Sequence, residues 1–118
     1  MIRIKRVYDE PESEDGTRVL VDRLWPRGLT KEKARVDIWL RDVAPSDALR
    51  KWFGHEPEKW GRFKARYFRE LEAHSDAVSL LRKKARGSRL TLLFAARDAD
   101  HSNAAALMEY LSGKVKGR

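Results

Sequence analysis

The segment at residues 22–28, with the sequence DRLWPRG, combines residue types that suit the binding of an anion. Arg23 and Arg27 carry planar guanidinium groups that can donate two parallel hydrogen bonds to a phosphate or a carboxylate. A proline between them fixes the backbone, and Gly28 permits a positive φ or the close approach of a ligand. Trp25 adds a flat apolar face. The segment therefore predicts a rigid, basic and partly apolar rim of a binding site.

A structural role for the same segment is the alternative interpretation. In that case Asp22 forms an ion pair with one of the arginines and holds the turn together. Trp25 would then pack on a neighbouring helix. The two roles are compatible, and the sequence leaves both of them open.

A second group of polar residues lies at positions 97–103, with the sequence RDADHSN. His101 titrates near neutral pH and can act as an acid or a base, and Asp98 can orient its ring. A predicted helix starts here, and the unpaired N–H groups of a helix N-terminus attract anions. The alternative is ordinary capping of that helix by Asp98, Asp100 or Ser102, with an exposed His101.

These two segments, together with a histidine and a tryptophan elsewhere, supply the candidate site residues. The candidate catalytic residues are Asp22, Asp98 and His101. The candidate ligand-binding residues are Arg23, Trp25, Arg27, Trp39, His55, Arg97 and Asn103. The chain has no HExxH spacing, no Walker A loop, no GxGxxG and no GxSxG, so we predict neither a metal site nor a cofactor.

Composition restricts the class of protein. The chain has 118 residues, a typical length for one domain, and its 26 Lys and Arg exceed its 18 Asp and Glu to give a net charge of +8. A basic surface favours an anionic partner, which is either a small molecule or nucleic acid. The densest basic cluster is Arg82, Lys83, Lys84 and Arg86. The absence of cysteine excludes disulfides, thiolate catalysis and cysteine-based metal sites.

Hydropathy gives no sign of a membrane segment. No apolar run approaches the roughly 20 residues that span a bilayer. The N-terminus lacks the continuous apolar stretch of a signal peptide. We therefore expect a cytoplasmic protein that does not associate with membranes, and the sequence leaves its oligomeric state open.

Four segments have the patterns of β-strands. Residues 1–7 alternate apolar with basic residues and predict an edge strand. Residues 17–24 contain the run Val19-Leu20-Val21, which suits a strand covered on both faces. Residues 36–41 alternate as in a half-buried strand, and residues 90–96 form the most apolar run in the chain and predict a central strand.

Helical signals separate these strands. Thr30 and Ser46 are suitable N-caps of two helices, and Pro57 suits the first turn of a third with an aromatic stripe. A fourth helix is predicted from Ser75, and a last one ends near Gly113. The predicted order is therefore β-β-(short α)-β-α-α-α-β-α.

This order predicts an α/β fold, with a parallel or mixed central sheet of about four strands flanked by helices. We assign residues 1–113 to a single α/β domain and residues 114–118 to a basic C-terminal tail. Ligands of such sheets bind at the carboxyl ends of the strands. Both polar segments follow predicted strands, so we expect them at one end of the sheet.

The sequence resembles a known family. The run VDRLWPRG at residues 21–28 is similar to the signature of the YeaO-like proteins, a bacterial and archaeal family of unknown function. The runs DIWL at 37–40, APS at 44–46, LRKWFGH at 49–55 and AARD at 95–98 also stand where the family pattern places them. His101 and Asn103 match a downstream element that usually reads His-Asn-Asn, and here Ser102 takes the middle position.

The resemblance covers residues 2 to about 111 and implies a small cytoplasmic domain with no established activity. It also implies that the polar residues at both strand ends belong to the family pattern. The candidates that it supports are Asp22, Arg23, Trp25, Arg27, His55, Arg97, Asp98 and His101.

Three functional hypotheses follow. The first is a pocket at the carboxyl ends of the sheet that binds a small anionic or nucleotide-like ligand, with hydrolysis or group transfer as the reaction if the protein is an enzyme. The second is a nucleic-acid-binding module that uses the basic surface. The third is a protein-interaction or structural domain, which an exposed aromatic patch would indicate.

Overall fold

A computed structural model describes residues 1–113. Its centre is a sheet of four parallel strands, and their bounds are β1 (Ile2–Arg6), β2 (Thr17–Leu20), β3 (Ile38–Trp39) and β4 (Leu90–Phe94). The order across the sheet is β1-β4-β2-β3, so β4 and β2 are central and β1 lies at an edge. The predicted α/β class is confirmed, and the sheet is parallel throughout.

Two strands end earlier than their apolar runs. β2 ends at Leu20 and β4 ends at Phe94, although the predicted segments continued to residues 24 and 96. The next amide of β4, that of Ala95, donates to the Asp22 carboxylate (2.9 Å) instead of to a strand carbonyl. A side chain thus takes over the hydrogen bonding where the strands end. The third strand has only two residues, because the chain enters a 3₁₀ turn at Arg41–Val43.

Within residues 1–113, five α-helices occur along the chain in the predicted order relative to the strands. Their bounds are α1 (Lys31–Ala34), α2 (Asp47–Phe53), α3 (Trp60–Glu72), α4 (Ser75–Gly87) and α5 (Asn103–Leu111). Thr30 caps α1 and Ser46 caps α2, as expected from their hydroxyl groups. Pro57 begins a 3₁₀ turn, Pro57–Lys59, and α3 itself starts at Trp60.

The two faces of the sheet are covered unequally. Buried residues of β2 and β4 alternate between the faces, as the two-residue period of a strand requires. One face packs against α2, α3, α4 and α5 and forms the large core, with Leu92 and Phe94 of β4 and Tyr67 of α3 among its buried members. Leu20 and Leu93 belong to a smaller core on the other face, together with Val7, Ala95 and apolar residues of the segment 25–39, which includes α1.

The amino end of β2 carries a buried ion cluster. Asp15 is fully buried and receives hydrogen bonds from Arg18 (2.5 Å), Lys5 (3.2 Å) and Arg3 (3.1 Å). Arg18 is only 4% exposed and also donates to the carbonyl oxygen of Ala34. The cluster connects β1, β2 and the end of α1.

No helix within residues 1–113 has the length and apolar character needed to cross a membrane. The predicted basic tail, residues 114–118, lies outside the described residues.

Candidate functional site

A cavity of about 400 Å³ lies where β2 and β4 end. Its walls come from the turn after β1, residues 22–27, α2 with the chain on both sides of it, one residue of α3 and the segment from the end of β4 to the start of α5. The cavity therefore occupies the carboxyl end of a parallel sheet, the position at which α/β proteins bind ligands.

Seven of the ten candidate site residues line this cavity. They are Asp22, Arg23, Trp25, Arg27, His55, His101 and Asn103. The other three, Trp39, Arg97 and Asp98, are absent from the lining. Arg97 is exposed in a bend after β4, and Trp39 and Asp98 contact lining residues. The structure thus brings two segments about 70 residues apart to one site, and it places His55 and His101 in the same cavity.

Asp22 is the junction between the two segments. Its Oδ2 accepts a hydrogen bond from the Ala95 amide (2.9 Å), and its Oδ1 accepts one from Nδ2 of Asn103 (3.1 Å). The predicted alternative, an ion pair between Asp22 and an arginine of its own segment, is wrong for the described residues. Asp22 has a structural role, but neutral N–H donors rather than a guanidinium hold it.

Burial raises the pKa of Asp22 above its ordinary value of 3.8. Hydrogen bonds from Asn103 and the Ala95 amide, and the charge of Arg50, act in the opposite direction but do not offset the loss of water.

Arg23 and Arg27 both line the cavity and belong to the segment at residues 22–28. The terminal nitrogen of Arg23 donates to the carbonyl oxygen of Pro45 (3.3 Å), while its Nε is buried and has no hydrogen-bond partner within the described chain. The nearest carboxylate oxygen to this Nε, on Asp47, is 3.9 Å away, too far for a hydrogen bond. Arg27 is exposed, and its carbonyl oxygen accepts from the hydroxyl of Tyr8 (2.9 Å).

Trp25 and Trp39 pack the segment at residues 22–28 against the sheet. Their rings pack edge to face at 5.5 Å, within the small core on the second face. Trp25 donates from its indole nitrogen to Leu29 (2.6 Å), and Trp39 donates to the carbonyl oxygen of Asp22 (2.8 Å). Gly28 has a φ of 77°, which confirms the predicted need for glycine in this turn. Trp39 is therefore a structural support of the site, and Trp25 combines that role with lining the cavity.

His101 and Asp98 form a hydrogen-bonded pair beside the cavity. Nδ1 of His101 lies 2.7 Å from Oδ2 of Asp98, and the hydrogen bond of this histidine lowers the pKa of Asp98. Of the predicted caps of this helix, Ser102 is confirmed as the cap of α5, whereas Asp98 caps the preceding 3₁₀ turn Ala99–His101. His101 is half-buried rather than exposed. The imidazole of His101 also packs edge to face on Trp60 at 5.2 Å.

His55 reaches the cavity from the loop after α2. Its φ of 59° is positive, and Gly54 before it has a φ of 55°. Positive φ costs a residue with a β-carbon some stability, although histidine tolerates it better than most residues. The two left-handed residues turn the chain sharply and bring the imidazole to the cavity wall.

Among the lining residues outside the candidate set are Tyr8, Arg50, Phe53 and Phe63. Tyr8 follows β1, whose carboxyl end lies at the same end of the parallel sheet as those of β2 and β4. Arg50 lies on α2 and is exposed, and no local pattern distinguishes it from a solvated arginine. The two phenylalanines lie on the apolar stripes of their helices, where the periodicity indicates only core.

The charges around the cavity favour an anion. Arg23, Arg27 and Arg50 line it, and Asp22 is the single carboxylate among its described lining residues. Across residues 1–113 there is no group of three or more histidine, aspartate or glutamate side chains that could hold a metal ion.

Comparison with known proteins identifies relatives along nearly the whole chain. The uncharacterized protein Rv3073c of Mycobacterium tuberculosis is 45% identical over 113 residues, which cover 96% of this chain and 95% of that protein. The uncharacterized protein YeaO of Escherichia coli is 40% identical over 110 residues, or 93% of this chain and 96% of that protein. No solved structure matches. A family model described as the inactive DUF488-N3 subclade matches residues 1–118, and the chain therefore belongs to this uncharacterised, YeaO-like family.

Proposed function

We propose that the protein binds a small anionic, nucleotide-like molecule in the cavity at the carboxyl ends of β2 and β4, without converting it to a product. The observation that carries the proposal is the convergence of Arg23, Arg27 and Arg50 on one cavity that contains a single carboxylate. Guanidinium groups in such a setting attract phosphate and carboxylate groups.

The unsatisfied Nε of Arg23 supports this proposal. Buried nitrogen atoms in proteins nearly always have a hydrogen-bond partner, and an exception calls for a physical explanation. An anionic oxygen in the cavity would supply the missing acceptor for Arg23.

The size and walls of the cavity suit a small organic molecule. A volume of about 400 Å³ lies within the range of small-molecule sites, which are mostly apolar with a few polar groups. Phe53, Phe63 and Trp25 supply the apolar walls. A ligand with a flat ring and an anionic group matches both the apolar walls and the arginines.

Two observations favour binding over catalysis. The hydroxyl groups among the described lining residues belong to Tyr8 and Ser102, and both donate hydrogen bonds to backbone carbonyl oxygens (2.9 Å each). The chain has no cysteine. A covalent mechanism through a side-chain hydroxyl or thiol of the wall is therefore unsupported, and the family description carries the word inactive. This proposal sets aside the hydrolase or transferase role that the sequence suggested for Asp22, Asp98 and His101.

Isothermal titration calorimetry with inorganic phosphate, phenyl phosphate and adenosine 5′-monophosphate tests the proposal. We expect at least one of the two organic phosphates to bind. Arg27→Ala should weaken that binding about tenfold, because hydrogen bonds to charged groups contribute more than neutral ones. Phosphorus NMR of the mixtures should show no new species over a day.

Arg69→Ala is the matched control, because Arg69 is exposed on α3, lies outside the cavity lining and carries the same charge. It should bind like the wild type. Binding of none of the three probes, or equal losses in the two variants, would exclude the cavity as the anion site. Turnover of any probe would contradict binding without chemistry.

Nucleic-acid binding is the second candidate, and it rests on a different surface. Lys83, Lys84 and Arg86 are exposed on α4. Arg82 is half-buried, donates to the carbonyl oxygen of Tyr110 (3.2 Å) and lies over its ring. The cluster thus keeps three exposed cations, which suffice only for a weak phosphate contact.

A further inference from the structure

We propose that the bound molecule carries a hydrogen-bond donor as well as its anionic group, and that Asp22 and Asn103 accept that donor. The inference rests on the proposed function and concerns the class of molecule that the site selects. An amino-substituted heterocyclic phosphate and an aromatic amino acid share this chemistry, because each combines an anionic group, a flat ring and an N–H donor.

The polar groups of the cavity divide into donors and acceptors. Arg23, Arg27 and Arg50 are donors only. Asp22 and Asn103 lie together where β2 meets α5, and they supply acceptors. A simple anion would pair with the arginines. It would offer no hydrogen-bond donor to Asp22 and Asn103, and its negative charge would repel the Asp22 carboxylate.

Asp22 retains capacity to accept hydrogen bonds. Each of its two oxygens receives one hydrogen bond from the described chain, whereas an ionised carboxylate offers about four acceptor positions. No cationic side chain within residues 1–113 lies within ion-pair distance of it. Asp22 is half-buried, and the loss of water around a carboxylate is costly, so a hydrogen-bond donor on the ligand would reduce that cost.

The side-chain amide of Asn103 is oriented so that its Oδ1 remains available to accept a hydrogen bond. Both hydrogens of its Nδ2 are used, one by the carbonyl oxygen of Val21 (3.0 Å) and one by Oδ1 of Asp22 (3.1 Å). Its Oδ1 receives no hydrogen bond from the described part of the chain, and Asn103 lines the cavity. The two residues therefore form an acceptor pair with a fixed orientation.

The apolar walls account for the ring of the proposed ligand. Phe53 and Phe63 are nearly fully buried, and their rings lie 4.6 Å apart. Both line the cavity together with Pro45 and Ala95. A flat ring against these walls would extend from the arginines to the acceptor pair.

Two pairs of probes that differ by one amino group test this inference on the wild-type protein. The first pair is adenosine 5′-monophosphate and purine riboside 5′-monophosphate, and the second is phenylalanine and 3-phenylpropionate. Calorimetry should show the amino-bearing member of one pair binding at least about tenfold tighter, since a hydrogen bond to a charged acceptor has that effect. The pair that shows the preference identifies the source of the donor.

Asp22→Asn should reduce that preference to less than about threefold, because the amide places a donor toward Asn103 or the ligand. Asp42→Asn, at an exposed position outside the cavity, should leave the preference unchanged. If Asp22→Asn does not fold, as circular dichroism would show, the wild-type comparison decides the matter.

The outcomes separate the inference from the function on which it depends. Probes that bind with a preference below threefold in both pairs would overturn the inference and leave anion binding intact. A failure of every probe, including the phosphates, would overturn both.

Discussion

Two carboxylates lie at the two ends of β2, the buried Asp15 and the half-buried Asp22, and their hydrogen-bond partners shift their pKa values in opposite directions. Asp15, at the amino end, is surrounded by Arg3, Lys5 and Arg18. Burial alone raises the pKa of Asp15, but hydrogen bonds from the Glu12 amide, Lys5 and Arg18 outweigh it and lower the pKa below 3.8. Asp22, at the carboxyl end, has neutral donors only, and its pKa is raised. Cations of the chain thus satisfy Asp15, whereas within the described residues Asp22 has no ion-pair partner.

Asp15→Asn should lower the free energy of unfolding at pH 7 by about 3 kcal/mol, because it leaves buried cations without their counter-ion. The folded state holds the pKa of Asp15 below its ordinary 3.8, so its contribution is present above that pH and is lost as the pH falls through the folded pKa. Urea denaturation from pH 7 to pH 2.5 should therefore show the wild type and the variant converging in acid.

Asp9→Asn is the control for this pH series, because Asp9 is exposed in the turn after β1. It should follow the wild type at every pH. A constant difference between wild type and Asp15→Asn from pH 7 to pH 2.5 would contradict the assigned role of the ion cluster.

At the scale of elements, the site depends on the connection from β4 to α5. Within this connection, Asp98 caps the 3₁₀ turn Ala99–His101 and Ser102 caps α5, and the capping places His101 and Asn103 at the cavity. The segment at residues 22–28 has a similar double role, since its tryptophan supports the second face of the sheet while its arginines line the cavity. In these two segments, the same few residues therefore both stabilise the fold and line the cavity.

Ser102→Ala should destabilise the fold by about 1 kcal/mol, the usual effect of losing an N-cap. The hydroxyl of Ser102 accepts from the Ala105 amide (3.1 Å) and donates to Ala99 (2.9 Å), and the residue is 2% exposed. Urea denaturation followed by tryptophan fluorescence measures the change.

Ser112→Ala removes a hydroxyl at the other end of the same helix, where it is exposed and donates to the Glu109 carbonyl oxygen (2.8 Å). We expect an effect below about 0.5 kcal/mol, as for ordinary surface substitutions. Equal losses in the two serine variants would show that the cap does not hold the start of α5.

At the scale of the whole molecule, the net charge of +8 and the geometry of the cavity would affect ligand binding in different ways. The charge raises the local concentration of any anion, and it does so without selecting one. In the proposed function, the cavity would supply the selection, because its donors, acceptors and apolar walls have fixed positions.

The charge by itself should give weak and non-specific binding to duplex DNA. We expect an affinity that falls steeply with salt, and Lys83→Gln/Lys84→Gln should reduce the slope of log affinity against log salt by about two. Fluorescence anisotropy with a labelled duplex at several salt concentrations measures both quantities.

Lys31→Gln/Lys33→Gln, at exposed positions of α1, is the control with the same change in charge. Equal effects of the two double variants would mean that the affinity for DNA depends only on the total charge of the protein. Tight binding that is insensitive to salt would instead favour the nucleic-acid function over the small-molecule site.

The sequence by itself determined the elements and their order. The apolar runs, the caps at Thr30 and Ser46, and the breaks at proline and glycine act within a few residues of the chain, so local patterns report them. The family signature DRLWPRG and the position of polar residues after apolar strands also predict most of the candidate residues that line the cavity. These signals did not predict the exact ends of the strands, and after β4 the Asp22 carboxylate accepts the Ala95 amide in place of a strand carbonyl.

Only the tertiary structure decided which side chains meet. Asp22 and Asn103 are 81 residues apart, and their hydrogen bond exists because β2 and β4 are neighbours in the sheet. Arg50, on α2, and Tyr8, after β1, also reach the cavity from parts of the chain distant from Asp22 and Asn103 in sequence. Burial, unpaired atoms such as Nε of Arg23, and the raised pKa of Asp22 arise from long-range packing. A sequence pattern gives the chemical groups of a residue, but tertiary packing determines which other groups surround it.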